Sequence, residues 1–450
     1  MRGKKRTKSS VRLLVLDPGH FHAALLQKHM YPEISPIVKV YAPKGSDLED
    51  HLKLIEGFNN RLKNPTNWDE RVYSRSNYLQ KMLDDKAGNV VIIAGNSTRK
   101  MSYIISSLEA GIHVLADKPI AVTRSDFELL RRAFEIAEGK KVILYDIMTE
   151  RYDVINIIQR ELVRKPGVFG ELVKGSPDKP AVVMETLHQL YKKVDNKTLK
   201  RPSWFFDTRH QGGAIADVGT HLVDLVQWMC FPDQILDWRT DVKIIYSKRW
   251  PTKLSLAQFR AITGLDEFPD QLREYLTPDN CLLADKNGEV LYSLRGVHIL
   301  LRTLWNYDPE PDACDTHWSV IRGSNANLTV TQGIEDKWKR SLVIEKKMAV
   351  SDDEFERKLI ASISSLSEQW HGLGIKARGN DWEVTIPEDA ETSHEDHFSQ
   401  VIEQFLRYIT AGRLPEWEKY SMIAKYFTTT EANDPDRDLQ YIHDGVQDEV

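Results

Sequence analysis

Cysteine is scarce: only Cys230, Cys281 and Cys314 occur in 450 residues, an odd and scattered set. That excludes a disulfide framework, and the lack of any C-x-x-C pair excludes a thiolate zinc site. A reducing, cytoplasmic setting is the expectation. Long hydrophobic runs are missing as well. The longest, such as Val90–Ala94 and Val142–Tyr145, are strand-sized, whereas a membrane span needs roughly 20 apolar residues. Neither charge dominates, with 61 Lys and Arg against 66 Asp and Glu and a formal net charge of −5. No global electrostatic pull toward nucleic acid or anionic lipid follows from that balance, and neither partner is expected. There is no internal repeat and no low-complexity tract. The basic start, MRGKKRTKSS, is followed by a short apolar run that enters a Pro-Gly turn, so a signal peptide is not expected. Residues 1–10 are expected to be a disordered lead-in.

What is present is core material. Hydrophobic residues make up 41% of the chain, enough to bury real cores and to argue against long disorder. At about 150 residues per domain the length allows two or three domains. The first third alternates short apolar runs with helical patterns. Val11–Leu16, Ile37–Tyr41, Val90–Ala94, His113–Leu115 and Val142–Tyr145 read as strands, with helices at His22–His29, Arg99–Ala110 and Arg124–Glu138. Strands without polar alternation, separated by helices, imply a parallel sheet covered on both faces. The stretch from Ala42 to Asn89 is long for one crossover and predicts inserted helix at Leu48–Phe58 and Tyr78–Leu83. From about Met148 a helix at Val154–Leu162 gives way to short strand-like segments. These are Val182–Thr186, Val242–Ile245, Val290–Ser293, Trp318–Ile321, Leu328–Thr331 and Leu342–Glu345, set between turn residues as in a mostly antiparallel sheet. The tail, His397–Ile409 and Lys419–Glu431, returns to helix, and Asp352–Arg357 reads as a solvated helix face. Domains at 11–147 and 148–450 are the expectation.

Three motifs carry chemistry. The first strand ends in Asp17-Pro18-Gly19-His20-Phe21-His22, at the place where a doubly wound sheet binds phosphates. Of the fingerprint G-x-G-x-x-G it keeps the middle glycine. The His20 and His22 pair has no carboxylate or third histidine at ligand spacing, so no metal site is expected. The second motif, Ala110-Gly-Ile-His-Val-Leu-Ala-Asp117-Lys118-Pro119, places a lysine in extended geometry before proline at a strand's carboxyl end. A lysine there can orient a hydroxyl or stabilise a forming carbonyl; an ordinary surface lysine is the alternative. In the third, Gln211-Gly-Gly-Ala-Ile-Ala-Asp217-Val-Gly-Thr-His221-Leu-Val-Asp224, glycines open a helix that carries Asp217 and His221 at i and i+4, on one face. A carboxylate beside an imidazole is a general-base arrangement, and equally a capping Asp with a buried His.

In this order the motifs resemble the Gfo/Idh/MocA-type oxidoreductases, over about Val11 to Glu345. The resemblance implies an α/β protein, with an N-terminal Rossmann doubly wound parallel sheet and a C-terminal α+β domain with an open, mostly antiparallel sheet. It implies NAD or NADP as cofactor and a secondary hydroxyl or ketone of a sugar, glycoside or polyol as substrate. The family's catalytic Lys, Asp and His map onto Lys118, Asp217 and His221. Cofactor contacts are expected from Pro18, Gly19, His20, Phe21, Ala42, Asn96, Asp117, Lys118 and Pro119. Two departures stand out. Asp17 and His22 occupy the outer glycine positions, where an Asp crowds the pyrophosphate unless it turns away. The second strand ends in Ala42-Pro43-Lys44-Gly45-Ser46 without the acid that binds NAD's ribose, which leaves NADP open. Ahead of the third motif, Glu185–Lys192 and Arg201–His210 are dense in donors and aromatic faces, as sugar sites are. His188, Lys192, Trp204 and Arg209 are therefore expected to join Lys118 and His221 in contacting substrate. Relatives that use held NAD to cleave glycosides by transient oxidation, and non-catalytic nucleotide-binding regulators, share these features. Homo-oligomers are expected, since an open sheet face needs water or a partner.

Overall fold

The computed structural model describes residues 10–194, 197–198, 200–310, 314–347, 352–368 and 370–434. The expected disordered lead-in at 1–10 falls, except for Ser10, outside the described residues. The chain divides into two compact units. One comprises residues up to Ala121, Ser125–Asp153 and Thr392–Ile423; the other comprises Val122–Arg124, Val154–Glu391 and the chain from Ala424.

The first unit is built on a six-stranded sheet of β1 (Leu13–Leu16), β2 (Ile37–Tyr41), β3 (Asp69–Tyr73), β4 (Val90–Ile93), β5 (His113–Ala116) and β6 (Leu144–Asp146). All pairs are parallel and the order is β3-β2-β1-β4-β5-β6. The residues of β1 and β4 are buried without alternation, as strands covered on both faces must be. The crossovers are α1 (His22–Leu25), α2 (Ser46–Asn60), α3 (Tyr78–Asp85), α4 (Ser97–Glu109) and α5 (Arg124–Lys140). The long second crossover holds the two expected helices and also β3, which the apolar pattern misses. Its sequence, Asp-Glu-Arg-Val-Tyr, is largely exposed at the sheet edge, where burial no longer dictates composition.

The second unit starts with α6 (Val154–Val163) and centres on a nine-stranded sheet. In chain order its strands are β7 (Val182–Gln189), then after the two-residue strands β8 (Lys193–Val194) and β9 (Lys197–Thr198), β10 (Val242–Leu254), β11 (Leu282–Leu294), β12 (Val297–Asn306), β13 (Thr316–Arg322), β14 (Ala326–Gln332), β15 (Ser341–Lys346), β16 (Gly374–Arg378) and β17 (Asp381–Thr385). The order is β10-β11-β12-β7-β13-β14-β15-β17-β16, with only β7 and β12 parallel among these pairs. Short helices α7 (Thr208–Gln211) and α9 (Leu256–Thr263), the long α8 (Ala214–Cys230) and α10 (Asp352–Ser367) complete it. One core joins α6 and α8 to the sheet through Ile155, Ile158, Leu222, Val226, Met229, Tyr292 and Ile299. A smaller one gathers Phe205, Phe206, Phe259, Leu282 and Trp305.

The tail does not follow sequence order. Helix α11 (His394–Ala411), which 148–450 would have placed with the second domain, belongs to the first unit. There Phe405 stacks on Tyr145, rings 6.2 Å apart and 7° from parallel, and buried Arg151 holds Glu418 through two bonds of 2.8 and 2.9 Å. Helix α12 (Glu416–Ala432) gives its first half to that unit and its second half to the other.

Candidate active site

In the first unit the turn after β1 and the turn after β4 pack glycine against glycine. A Cβ on Gly95 would lie 2.5 Å from the Asp17 carbonyl oxygen and 3.0 Å from Gly19 N, and one on Gly19 would meet Gly95 Cα at 3.3 Å. Asp17 takes the left-handed backbone (φ 50°) that a glycine usually supplies. Its carboxylate turns to Tyr103, whose hydroxyl donates to Oδ2 at 2.8 Å, so the crowding feared at this position is relieved. Gly19 N–H closes the turn on the Asp17 carbonyl at 2.8 Å, and His20 N–H donates to the Ala94 carbonyl at 2.9 Å. Pro18 and Ala42 are buried, while Phe21 is exposed. Asn96 caps α4, its side chain accepting from Thr98 N–H at 2.9 Å.

The Asp117-Lys118-Pro119 loop follows β5, with a cis Lys118–Pro119 peptide. It is clamped by a residue the motifs do not reveal. Lys100, 1% exposed on α4, donates to the carbonyls of Asp117 at 3.1 Å and Pro119 at 2.8 Å. Asp117 is itself buried, and its Oδ1 accepts from Lys118 N–H at 2.9 Å. The carboxylate that His20 and His22 lack in sequence is Asp117, brought from about 95 positions away. Burial drives the His22 imidazole well below its ordinary value, against the pull of Asp117, and so keeps it neutral. Burial alone would raise Asp117, but hydrogen bonds from both imidazoles hold it well below the usual carboxylate range.

The second unit carries Asp217 and His221 on α8. Gly212 (φ 75°) and Gly213 open the helix, and an added Cβ on Gly212 would sit 2.7 Å from that of Ala216. Asp217 is buried and His221 half-buried, one turn apart on the same face. A turn further on, buried Asp224 accepts from buried Lys425 at 2.7 Å.

Of the expected substrate contacts, His188 and Lys192 meet at one carboxylate. Asp315 Oδ2 lies 3.3 Å from His188 Nδ1 and accepts from Lys192 at 2.8 Å, while Oδ1 accepts from Gln189 N–H at 2.9 Å. Burial would raise the Asp315 carboxyl, yet the hydrogen bond and charge of His188 and the charge of Lys192 hold it well below its ordinary value. The His188 ring rests 4.9 Å from Trp305. Arg201 also covers Trp305, at 4.8 Å, and Phe205, at 4.9 Å, and donates to the carbonyls of Leu190 and Gln189. Burial pulls Arg201 down to about 10, against the charges of Asp315 and Asp217. Lys286, fully buried on β11, lies 3.8 Å over the Phe205 ring. Asp315 and Lys286 sit in an irregular segment and mid-strand with no motif around them, so only folding reveals them, whereas Arg201 opens the donor-rich stretch at 201–210. Trp204 packs partly buried beside the Phe205 core. Arg209 pairs with buried Asp207 at 2.9 Å and with Glu274 at 3.0 Å.

Residues 19–146 match the family model described as "Oxidoreductase family, NAD-binding Rossmann fold", and residues 158–436 match "Putative oxidoreductase C terminal domain". The chain belongs to the Gfo/Idh/MocA oxidoreductase family. Its first unit is accordingly an NAD(P)-binding Rossmann domain. Among solved structures, a "putative oxidoreductase" from Parabacteroides merdae superposes with a TM-score of 0.92 at 47% identity, over 96% of this chain and 98% of that one. A 3-ketoreductase from Actinomadura kijaniata, solved with NADP and TDP-benzene, shares the fold at a TM-score of 0.53 and 13% identity, over 92% of this chain and 94% of that one. An "Uncharacterized oxidoreductase" of Schizosaccharomyces pombe is 26% identical over 155 residues, 34% of this chain; the match spans 36% of that relative's length. No helix among the described residues is long and apolar enough to cross a membrane.

Proposed function

We propose that this family member moves hydride between a nicotinamide cofactor and a secondary hydroxyl or ketone of a sugar, glycoside or polyol. The observation that carries the reading is the pairing of Asp217 and His221 on one face of a glycine-opened helix, in a chain of this family that also keeps Lys118 before Pro119. When bound, the nicotinamide supplies the hydride acceptor or donor. The protein's part is proton handling and placement. In the oxidising direction the His221 imidazole takes the hydroxyl proton, Asp217 orients that imidazole, and the Lys118 ammonium holds the oxygen on which charge gathers. Clamping by Lys100 fixes the loop from which Lys118 extends, so little reorganisation is left for turnover. Gly19 and Gly95 let the turns after β1 and β4 pack backbone on backbone, which shapes the turn where a Rossmann domain takes its dinucleotide. His188 and Lys192, joined at Asp315, supply donors of the kind that read hydroxyls. Arg209, committed to Asp207 and Glu274, is not assigned to substrate.

The preferred dinucleotide under this reading is NAD. Asp47 Oδ2 on the first turn of α2 lies 3.2 Å from where a Gly19 Cβ would be, placing a negative charge beside the dinucleotide turn. An acid that reaches the adenosine ribose from this helix favours the free 2′-hydroxyl of NAD over the 2′-phosphate of NADP. Fluorescence titration should show NAD bound at least about tenfold more tightly, a difference of about 1.4 kcal/mol, and Asp47→Ala should narrow the gap; equal or reversed affinities would refute the preference. The reaction itself is tested by kinetics of His221→Ala and Lys118→Ala with wild-type folding. Each should lower kcat/KM by about 10²–10⁴-fold. Turnover within a few-fold of wild type in both would remove the assignment.

A further inference from the structure

Two imidazoles and a carboxylate meet in the first unit at one point. His20 and His22 follow β1, Asp117 follows β5, and β4 lies between those strands in the sheet. His20 Nδ1 is 3.1 Å from Asp117 Oδ2, and His22 Nδ1 is 3.0 Å from Oδ1 and 3.1 Å from Oδ2. One ligand atom from each residue lies within 4.8 Å of the others. We infer that His20, His22 and Asp117 form a binding site for a divalent transition-metal cation, of which zinc is the representative. This inference does not depend on the proposed reaction.

The donor set decides the class of ion. Two imidazole nitrogens and one carboxylate oxygen suit zinc, iron, cobalt or manganese, whereas calcium and magnesium take oxygen ligands. The spacing suits it too. Bonds of about 2.0–2.2 Å in tetrahedral geometry separate ligand atoms by roughly 3.3–3.5 Å, so the observed 3.0–3.1 Å contacts need open by only a few tenths of an ångström. The surroundings fix the ligands in advance. Asp117 is oriented by Lys118 N–H at 2.9 Å, and its backbone carbonyl is held by Lys100 at 3.1 Å. The His22 ring packs against Phe21 and Phe398, each with its centroid 4.7 Å away. Such outer contacts are what set ligand orientation in metal sites. One flank stays accessible, since the His20 side chain is 23% exposed. Three protein ligands with an open flank describe a site that keeps a water or another oxygen ligand in its fourth position, unlike a closed structural centre.

The test uses untagged full-length protein, stripped with a chelator, dialysed, and titrated with zinc chloride against a chromophoric competitor. Metal content is then read by mass spectrometry. Wild type should take up one zinc per chain, and cobalt(II) should give the visible absorption of a tetrahedral ion. His20→Ala and Asp117→Asn should each weaken zinc binding about 100-fold or more, beyond the 10–100-fold typical of outer-shell changes. His20, the most exposed of the three, is the variant to retain if Asp117→Asn melts early. The site is refuted if wild type takes up no stoichiometric zinc. It is equally refuted if folded His20→Ala binds zinc as tightly as wild type.

Discussion

At the scale of single residues, the informative groups are those whose partners lie far away in sequence. Lys118, Asp217 and His221 stand in motifs and can be found by reading. Lys100, Asp315 and Lys286 cannot. A lysine mid-helix and an aspartate after an irregular stretch look like surface residues, and only burial against carbonyls, rings or opposite charges distinguishes them. The same limit hid Asp117 from His20 and His22, because ligand spacing along a chain is not ligand spacing in a fold. Asp315 yields a prediction with a definite sign. Its folded pKa lies below the unfolded value of about 3.9. The carboxylate therefore adds stability in full above that value, and the contribution disappears as pH falls through the folded pKa. Urea unfolding of wild type and Asp315→Asn should show wild type more stable at pH 5 to 7. The two curves should converge as pH drops below about 4; a constant gap down to pH 3 would contradict the pairing with His188 and Lys192.

At the scale of elements, apolar runs identified the strands that are buried on both faces. The runs in β1, β4 and β5 contain little else, because a covered parallel strand has no polar side to show. Edge and outer strands were harder. The charged sequence of β3 escaped, as did β12, whose half-exposed positions, His298 and Arg302 among them, alternate with buried ones and leave no continuous apolar run. The first glycine-rich contact also went half-seen: Gly19 stood in a recognisable turn, but its partner Gly95 did not. Gly95→Ala puts a Cβ 2.5 Å from a backbone oxygen, which flexible side chains cannot relieve. The variant should bind NAD at least about tenfold more weakly while its far-ultraviolet circular dichroism stays as in wild type. Unchanged NAD affinity would show that this contact does not shape the dinucleotide turn.

At the scale of the molecule, the two-part plan was legible from the motif order, and the matches to family models over 19–146 and 158–436 agree with it. The return of α11 to the first unit was not legible, since nothing local in an amphipathic helix names the surface it covers. The second unit's sheet also presents an outer row in which Trp318, Glu185, Arg302 and Glu289 stand side by side across four strands. Trp318 is 41% exposed there, and Arg302 bridges Glu185 at 2.8 Å and Glu289. Homo-oligomers through this face are the expectation. Light scattering after size exclusion should give a mass above 51.9 kDa that falls to the monomer in Trp318→Glu; a monomeric wild type would contradict it. The proposed hydride transfer is read out by the stoichiometry of reduced nicotinamide. Purified protein with NAD and a panel of sugars, glycosides and polyols should form one reduced nicotinamide per substrate consumed. No reduction with any of them, or substrate cleavage with no net change in the cofactor, would contradict the account.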